Sequence, residues 1–195
     1  MTIQNVIDMA NKVNPNAWDN DIKTEWINEC EGMIQSEVLL LAADDIMKYR
    51  YLAQWKGTGI TFPTAEKMEL PSSHSFKAGD AVTVSGLTTY SQNNKSSKIT
   101  IKKIEGNVLI FDEDTFDQTG SSGDAGNATV TFDGKDTVLI AEPPHDDVYW
   151  PYLSAMISFA NGEFTRYQNE MALFNSRFTE FSRWFARVYD PAGRV

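Results

Sequence analysis

Apolar residues at helical spacing open the chain: Ile3, Val6, Ile7, Ala10 and Val13 follow Thr2, which can cap a first turn. Asn14-Pro15-Asn16 stops that helix. A second, longer helix is predicted to begin after Asp19 or Asp21, because Ile22, Trp26, Cys30, Met33, Ile34, Val38 and Leu41 recur every three or four positions. Lys23, Glu25, Glu29 and Glu37 fall on its outer face, and Gly32 interrupts it at a cost of about 1 kcal/mol relative to Ala. Residues 42–70 fit two patterns. Tyr49, Tyr51, Ala53 and Trp55 alternate as in a strand, while Ile46, Tyr49 and Ala53 share one helix face, so this segment stays open.

From Phe76 to Ile140 the period becomes two. β-Branched or aromatic runs at 81–85, 98–102, 108–111, 129–132 and 137–140 predict five short strands, punctuated by Gly79-Asp80, Gly86, Gly106-Asn107 and Asp133-Gly134. The last two pairs have hairpin-turn chemistry. Between Phe116 and Ala128, the Gly120-Ser121-Ser122-Gly123 stretch reads as a flexible loop. Helical spacing then returns. Asp146-Asp147 mark a helix start and Tyr149, Tyr152, Leu153, Met156 and Ala160 continue it to Asn161-Gly162. The final segment carries an aromatic seam, Phe164, Tyr167, Met171, Phe174, Phe178, Phe181, Phe185 and Val188, alternating three- and four-residue steps until Asp190-Pro191 and Gly193.

These elements predict an α+β fold: a helical body formed by N- and C-terminal helices, with an inserted small antiparallel β-barrel or sandwich. The expected divisions are an N-terminal helical part at 1–72, the β domain at 73–142, and a C-terminal helical part at 143–195 that packs with the first.

Charge sharpens the division. The chain of 195 residues carries a net charge of -10, but the first 147 residues hold -11 and the rest +1. Five of the six arginines and 12 of the 23 aromatic residues lie after Asp147. An acidic chain of this kind is a poor phosphate-backbone binder, which needs clustered Lys and Arg. A single cysteine, Cys30, permits no internal disulfide, and the N-terminal residues show no basic segment followed by an apolar run, so folding in a cytosol is expected.

Catalytic and metal-binding patterns are scarce. His74 and His145 are the only histidines, and neither lies near a nucleophile elbow or a reactive-cysteine setting. His145-Asp146-Asp147 are adjacent residues that cannot converge on one ion from a helix start. Asp112, Glu113, Asp114 and Asp117 resemble a calcium loop only superficially, since Asp117 stands where the turn needs Gly. No catalytic residue, metal or cofactor is expected, and the enzyme reading has no positive feature. Trp184 and Tyr189 lie off the aromatic seam, where they would sit in water unless covered by another subunit. Together with Arg166, Arg177, Arg183 and Arg187, whose guanidinium groups suit bidentate pairing with carboxylates, they are the candidate partner or subunit contacts.

Several of these segments resemble a known family. Asp146-Asp147-Val148-Tyr149-Trp150-Pro151-Tyr152-Leu153, Asn161-Gly162-Glu163-Phe164-Thr165-Arg166-Tyr167-Gln168-Asn169, Phe174-Asn175 and Trp184-Phe185-Ala186-Arg187 resemble head-to-tail connector (neck adaptor) proteins of tailed phages and prophages. The opening helix, the Asn-Pro-Asn turn, Trp26 and Glu31-Gly32-x-Ile34 are similar to the first third of that pattern. The likeness covers residues 1–41 and 139–190; the β module departs from the all-helical members and looks like small β domains of virion proteins. The resemblance implies a structural role in the virion neck, with assembly in the host cytoplasm. Copies would form a homo-oligomeric ring of about twelve under the portal protein. The next neck or tail-completion protein would be a further partner, and DNA would pass through the channel without specific binding. No membrane association is expected. The rival reading is a binding module whose β domain recognises carbohydrate through exposed aromatics such as Tyr90 or Phe116.

Overall fold

The computed structural model describes residues 1–189, which form an α+β protein of four α-helices and two antiparallel sheets. The helix end expected at Asp190-Pro191 and Gly193 lies outside the described residues. The chain divides into two compact units, Met1–Tyr51 together with the segment from Gly134 onward, and Leu52–Asp133. These limits correct the expected ones: residues 52–72 belong to the β unit and 134–142 to the helical unit. The Pro143-Pro144 pair, at the start of the expected C-terminal part, lies inside the helical unit and is joined by a cis peptide bond.

In the helical unit, α1 (Ile3–Val13) is capped as its sequence predicts. Thr2 Oγ1 accepts the Asn5 backbone N–H at 3.3 Å, and Asn5 Oδ1 returns the favour to the Thr2 N–H at 3.2 Å. The second helix departs from expectation in extent and in face. α2 (Asn20–Met33) passes into a π-helical turn at Ile34–Val38, and Leu40 ends it with a φ of 56°. Its buried face includes Lys23, Thr24, Asn28, Glu31 and Gln35, whereas Ile22 and Leu41 are exposed.

Two of these polar residues, Asn28 and Gln35, face inward as backbone partners for an extended segment. Asn28 accepts the Tyr49 N–H and donates to the Tyr49 carbonyl, both at 2.8 Å. Gln35 does the same for Met47, at 2.7 and 3.1 Å. Two amides on one helix face thus pair with alternate residues of the chain, as a neighbouring strand would. This explains why residues 46–50 carry both signals in sequence. They are extended without belonging to a sheet.

α3 (Tyr149–Ala160) follows a 3-10 turn at Asp146–Val148 and packs against α1, α2 and α4 (Phe164–Tyr189). Its neighbours bury Ile3, Val6, Ile7, Ile27, Ile34, Leu139, Tyr149, Leu153 and Ile157 in one core. The aromatic seam of α4 contributes Phe174 and Phe181 to that core, with Met171, Phe178 and Phe185 half-buried. Phe164 and Val188, at its ends, are exposed. A helix of 26 residues is about 39 Å long and α3, of 12 residues, about 18 Å, so α3 covers only the first half of the seam, where Phe159 meets Phe164 and Tyr167 and Tyr152 meets Phe174.

The β unit contains β1 (Leu52–Gly57), β2 (Thr61–Thr64), β3 (Lys67–Glu69), β4 (Ala81–Ser85), β5 (Lys95–Thr100), β6 (Lys103–Glu105), β7 (Val108–Ile110) and β8 (Ala128–Asp133). They form sheets of order β1-β8-β4-β5 and β2-β3-β7-β6. Residues of both sheets, including Trp55, Phe62, Met68, Val82, Leu109 and Val130, share one core with Phe116 of the β7–β8 connection. Gly106-Asn107 makes the expected tight hairpin, between β6 and β7. The expected strand at 137–140 is absent. Val138 only bridges Thr2, and the Leu139 N–H bonds to the Met1 carbonyl at 3.0 Å, which places Leu139 in the helical core.

The Gly-Ser stretch is pinned, correcting its reading as a flexible loop. Phe62 and Gly120 exchange backbone bonds at 3.0 and 2.7 Å, the Tyr90 hydroxyl donates to the Ser122 carbonyl at 2.8 Å, and Asn93 Nδ2 donates to the Gln118 carbonyl at 2.7 Å. Its glycines answer to crowding. A Cβ at Gly120 would stand 2.4 Å from the Tyr90 hydroxyl oxygen, so only glycine lets the chain pass there.

Candidate assembly surface on the helical unit

The six residues expected to make partner contacts all lie on α4, but the structure gives them different work. Arg166 is held within its own unit. Its Nε donates to Glu170 at 3.1 Å, another nitrogen of the guanidinium donates to the Val13 carbonyl, and Glu163 lies 3.6 Å away. Glu170 is buried and also accepts the hydroxyls of Ser154 at 2.6 Å and Ser158 at 2.7 Å. Asn14 Nδ2 donates to the Ser158 hydroxyl oxygen at 2.9 Å. The network ties the end of α1 to α3 and α4. Its trace in the sequence is Ser154 and Ser158, four residues apart in an otherwise apolar helix.

Arg177 is half committed: its Nε lies 3.2 Å from Asp147, and Glu180 is 3.6 Å away. Asp146 pairs with the Met1 amino group at 3.3 Å. The two aspartates therefore act through ion pairs; neither makes a side-chain cap to the turn they open. Trp184 is not open to solvent as its position off the seam suggests. It packs on His145, with ring centroids 4.8 Å apart, and on Phe181 at 6.1 Å. Tyr189 is exposed, resting its ring on Phe185 at 4.5 Å.

Arg183 and Arg187 are exposed and have no carboxylate partner among the described residues. Arg187 Nε donates to the Arg183 carbonyl at 3.3 Å, which leaves the rest of both guanidinium groups to solvent. They border a shallow groove along α4 lined by the small side chains of Ala172, Ser176, Thr179 and Ala186 together with Asn175 and Glu180. Small residues let another helix approach closely, and arginines beside them supply directed donors.

A buried cluster that sequence patterns did not reveal lies in the same unit. Glu31 Oε1 accepts the Ile140 N–H at 2.8 Å and the Tyr149 hydroxyl at 3.1 Å, while Oε2 is buried with no partner among the described residues. Burial pushes the Glu31 carboxyl above its ordinary range against these hydrogen bonds. Burial and the Glu31 charge push the Tyr149 hydroxyl far up and Tyr49 to about 12, and burial raises the Cys30 thiol. Neither the α4 groove nor the one beside β4 and β5 is lined by this cluster.

Two carboxylates of the acidic stretch at 112–117, which resembles a calcium loop only superficially, are ion-paired. Lys95 pairs with Asp117 at 3.0 Å and Lys102 with Asp112 at 3.2 Å, and no group of three metal-ligating side chains occurs among the described residues. Tyr90 and Phe116, named for carbohydrate recognition, are buried, which removes both rings from that reading. Among the described residues no helix is long and apolar enough to cross a membrane. No protein-family model matches the chain, and no curated protein is similar to it.

Proposed function

We propose that this chain is a subunit of a phage head-to-tail connector, assembling as a ring of about twelve copies beneath the portal and forming part of the channel for DNA. One observation carries the reading. The separated segments that resemble neck adaptors, Trp26 and Glu31-Gly32-x-Ile34 near one end and 146–153, 161–169, 174–175 and 184–187 near the other, fold into one helical unit around one core. That unit presents a long helix with exposed arginines, as an adhesive structural subunit requires. The acidity of the first 147 residues suits a wall that repels DNA and lets it slide.

The test is to mix the purified protein with its cognate portal and weigh the product by light scattering. The expected result is a co-migrating assembly gaining about 260 kDa from about twelve copies of a 21.9 kDa chain. No association at any salt concentration overturns the proposal.

A further inference from the structure

We infer that copies of this chain join head to tail, the outer face of α4 in one copy docking on the outer ridge of α2 in the next. The inference deepens the connector reading and rests on it for the expectation that copies meet. The occupant of the α4 groove is a second copy because the same unit carries a surface matching it in charge and spacing. Asp21, Glu25 and Glu29 are exposed at four-residue intervals on α2, so their carboxylates form one ridge with steps of about 6 Å. Arg183 and Arg187 repeat that step on α4.

The acid ridge lacks opposite charge at home, and the one carboxylate lining the arginine groove among the described residues, Glu180, lies 3.6 Å from Arg177. Asp21 and Glu25 have no ion pair among the described residues, and Glu29 accepts only the Tyr152 hydroxyl, at 2.9 Å. Like charges four residues apart on a helix repel one another, so the acid row weakens α2 unless something cationic covers it. The ridge of one helix can enter the groove of another when both follow four-residue rows, and Ala172, Ser176 and Ala186 leave room for that approach. Since α2 and α4 both pack on α3, donor and acceptor faces are different surfaces of one unit. Contact between two different faces is heterologous and propagates into a ring or a filament.

Two charge-reversed full-length chains test this, R183E/R187E and D21K/E25K. Each alone sets like against like, whereas an equimolar mixture restores opposite charge at every contact. Sedimentation velocity up to millimolar protein and at low salt should show the wild type associating, with dissociation favoured at 0.5 M salt where screening is short-ranged. Each variant alone should associate at least about tenfold more weakly, and the mixture should regain the wild-type behaviour. Circular dichroism establishes that both variants are folded.

A wild type that stays monomeric throughout, a variant that associates as well as the wild type, or a mixture of folded variants that stays monomeric each overturns the inference. Portal mixing separates it from the connector reading. Self-association by these rules without portal binding sinks the connector and leaves the interface. A portal assembly indifferent to both reversals does the opposite.

Discussion

Two buried carboxylates, one in each unit, are shifted in opposite directions from their ordinary values. Asp124 of the β unit is 1% exposed and Glu31 of the helical unit 0%. Burial raises both, but Asp124 accepts backbone N–H groups from Tyr90 at 2.8 Å, Gly126 at 2.7 Å and Thr88 at 3.1 Å, and together these donors hold it below the ordinary aspartate value. Glu31 has one backbone donor and one hydroxyl, and burial wins. The difference is one of chain geometry. Asp124's donors come from the turns at 88–90 and 126, where successive N–H groups converge on one point. Glu31 depends on Ile140 and Tyr149, 109 and 118 residues away, and is left with an unpaired oxygen.

The sharpest way to break the comparison is Asp124→Ala, which strands the buried N–H groups of Tyr90 and Gly126 and the part-buried one of Thr88. The expected loss is about 3–5 kcal/mol, read as a lower denaturant midpoint for the amide signals of β4 and β8. Because the native Asp124 value is depressed, its contribution is present above the unfolded value near pH ~3.9 and vanishes as pH falls through the native value. An unchanged midpoint would show that the turns at 88–90 and 124–126 hold without the carboxylate.

Those turns also rest on a close backbone approach. Gly86 has a φ of +78°, and a Cβ there would stand 2.4 Å from the Asn127 carbonyl oxygen. Gly86→Ala should destabilise the β unit by about 2–3 kcal/mol in thermal unfolding. Parent-like melting would mean that the Asn127 backbone can retreat without disturbing β8.

Local periodicity made much of the fold legible. Thr2's cap, the β4, β7 and β8 runs, the Gly106-Asn107 hairpin and the α4 seam all depend on residues within a few positions of one another. What escaped depends on distant partners. No local pattern tells that Asn28 and Gln35 will bond Tyr49 and Met47, so a buried polar face resembled an exposed one. Leu139 alternates like a strand residue but packs among helices because its backbone pairs with Met1. Glycine marked close packing in 120–126, where composition suggested freedom. Of the assembly candidates, Arg183, Arg187 and Tyr189 are exposed as their positions implied. Arg166 and Trp184 are drawn inward by Glu170 and His145, which sequence spacing could not disclose.

Glu31→Gln sharpens the contrast by removing the charge while keeping an acceptor. A carboxyl that titrates higher in the native state keeps its proton longer, so above about pH 4.3 the folded chain binds more protons than the unfolded one. Stability from this group therefore falls as pH rises from there through the native value. The variant should match the parent near pH 4 and exceed it by about 1 kcal/mol at pH 8. Chemical unfolding at the two pH values measures the difference. A parent whose stability rises over this window more than the variant's would show that Glu31 is the better-satisfied carboxylate, reversing the contrast with Asp124.

The smallest effect reverses the sign seen at Gly86. Gly32 lies within α2, and a Cβ added there meets nothing within 4 Å. Alanine restricts the unfolded chain and favours the helix, so Gly32→Ala should stabilise the helical unit by about 0.5–1 kcal/mol. The same substitution thus costs stability where glycine admits a neighbouring backbone and adds it where glycine only loosens a helix. If Gly32→Ala instead lowers the melting temperature, the residue matters to the π-helical turn that begins two positions later at Ile34. Helical amide exchange at 34–38 would then accelerate in the variant, locating the penalty in that turn and not in α2 itself.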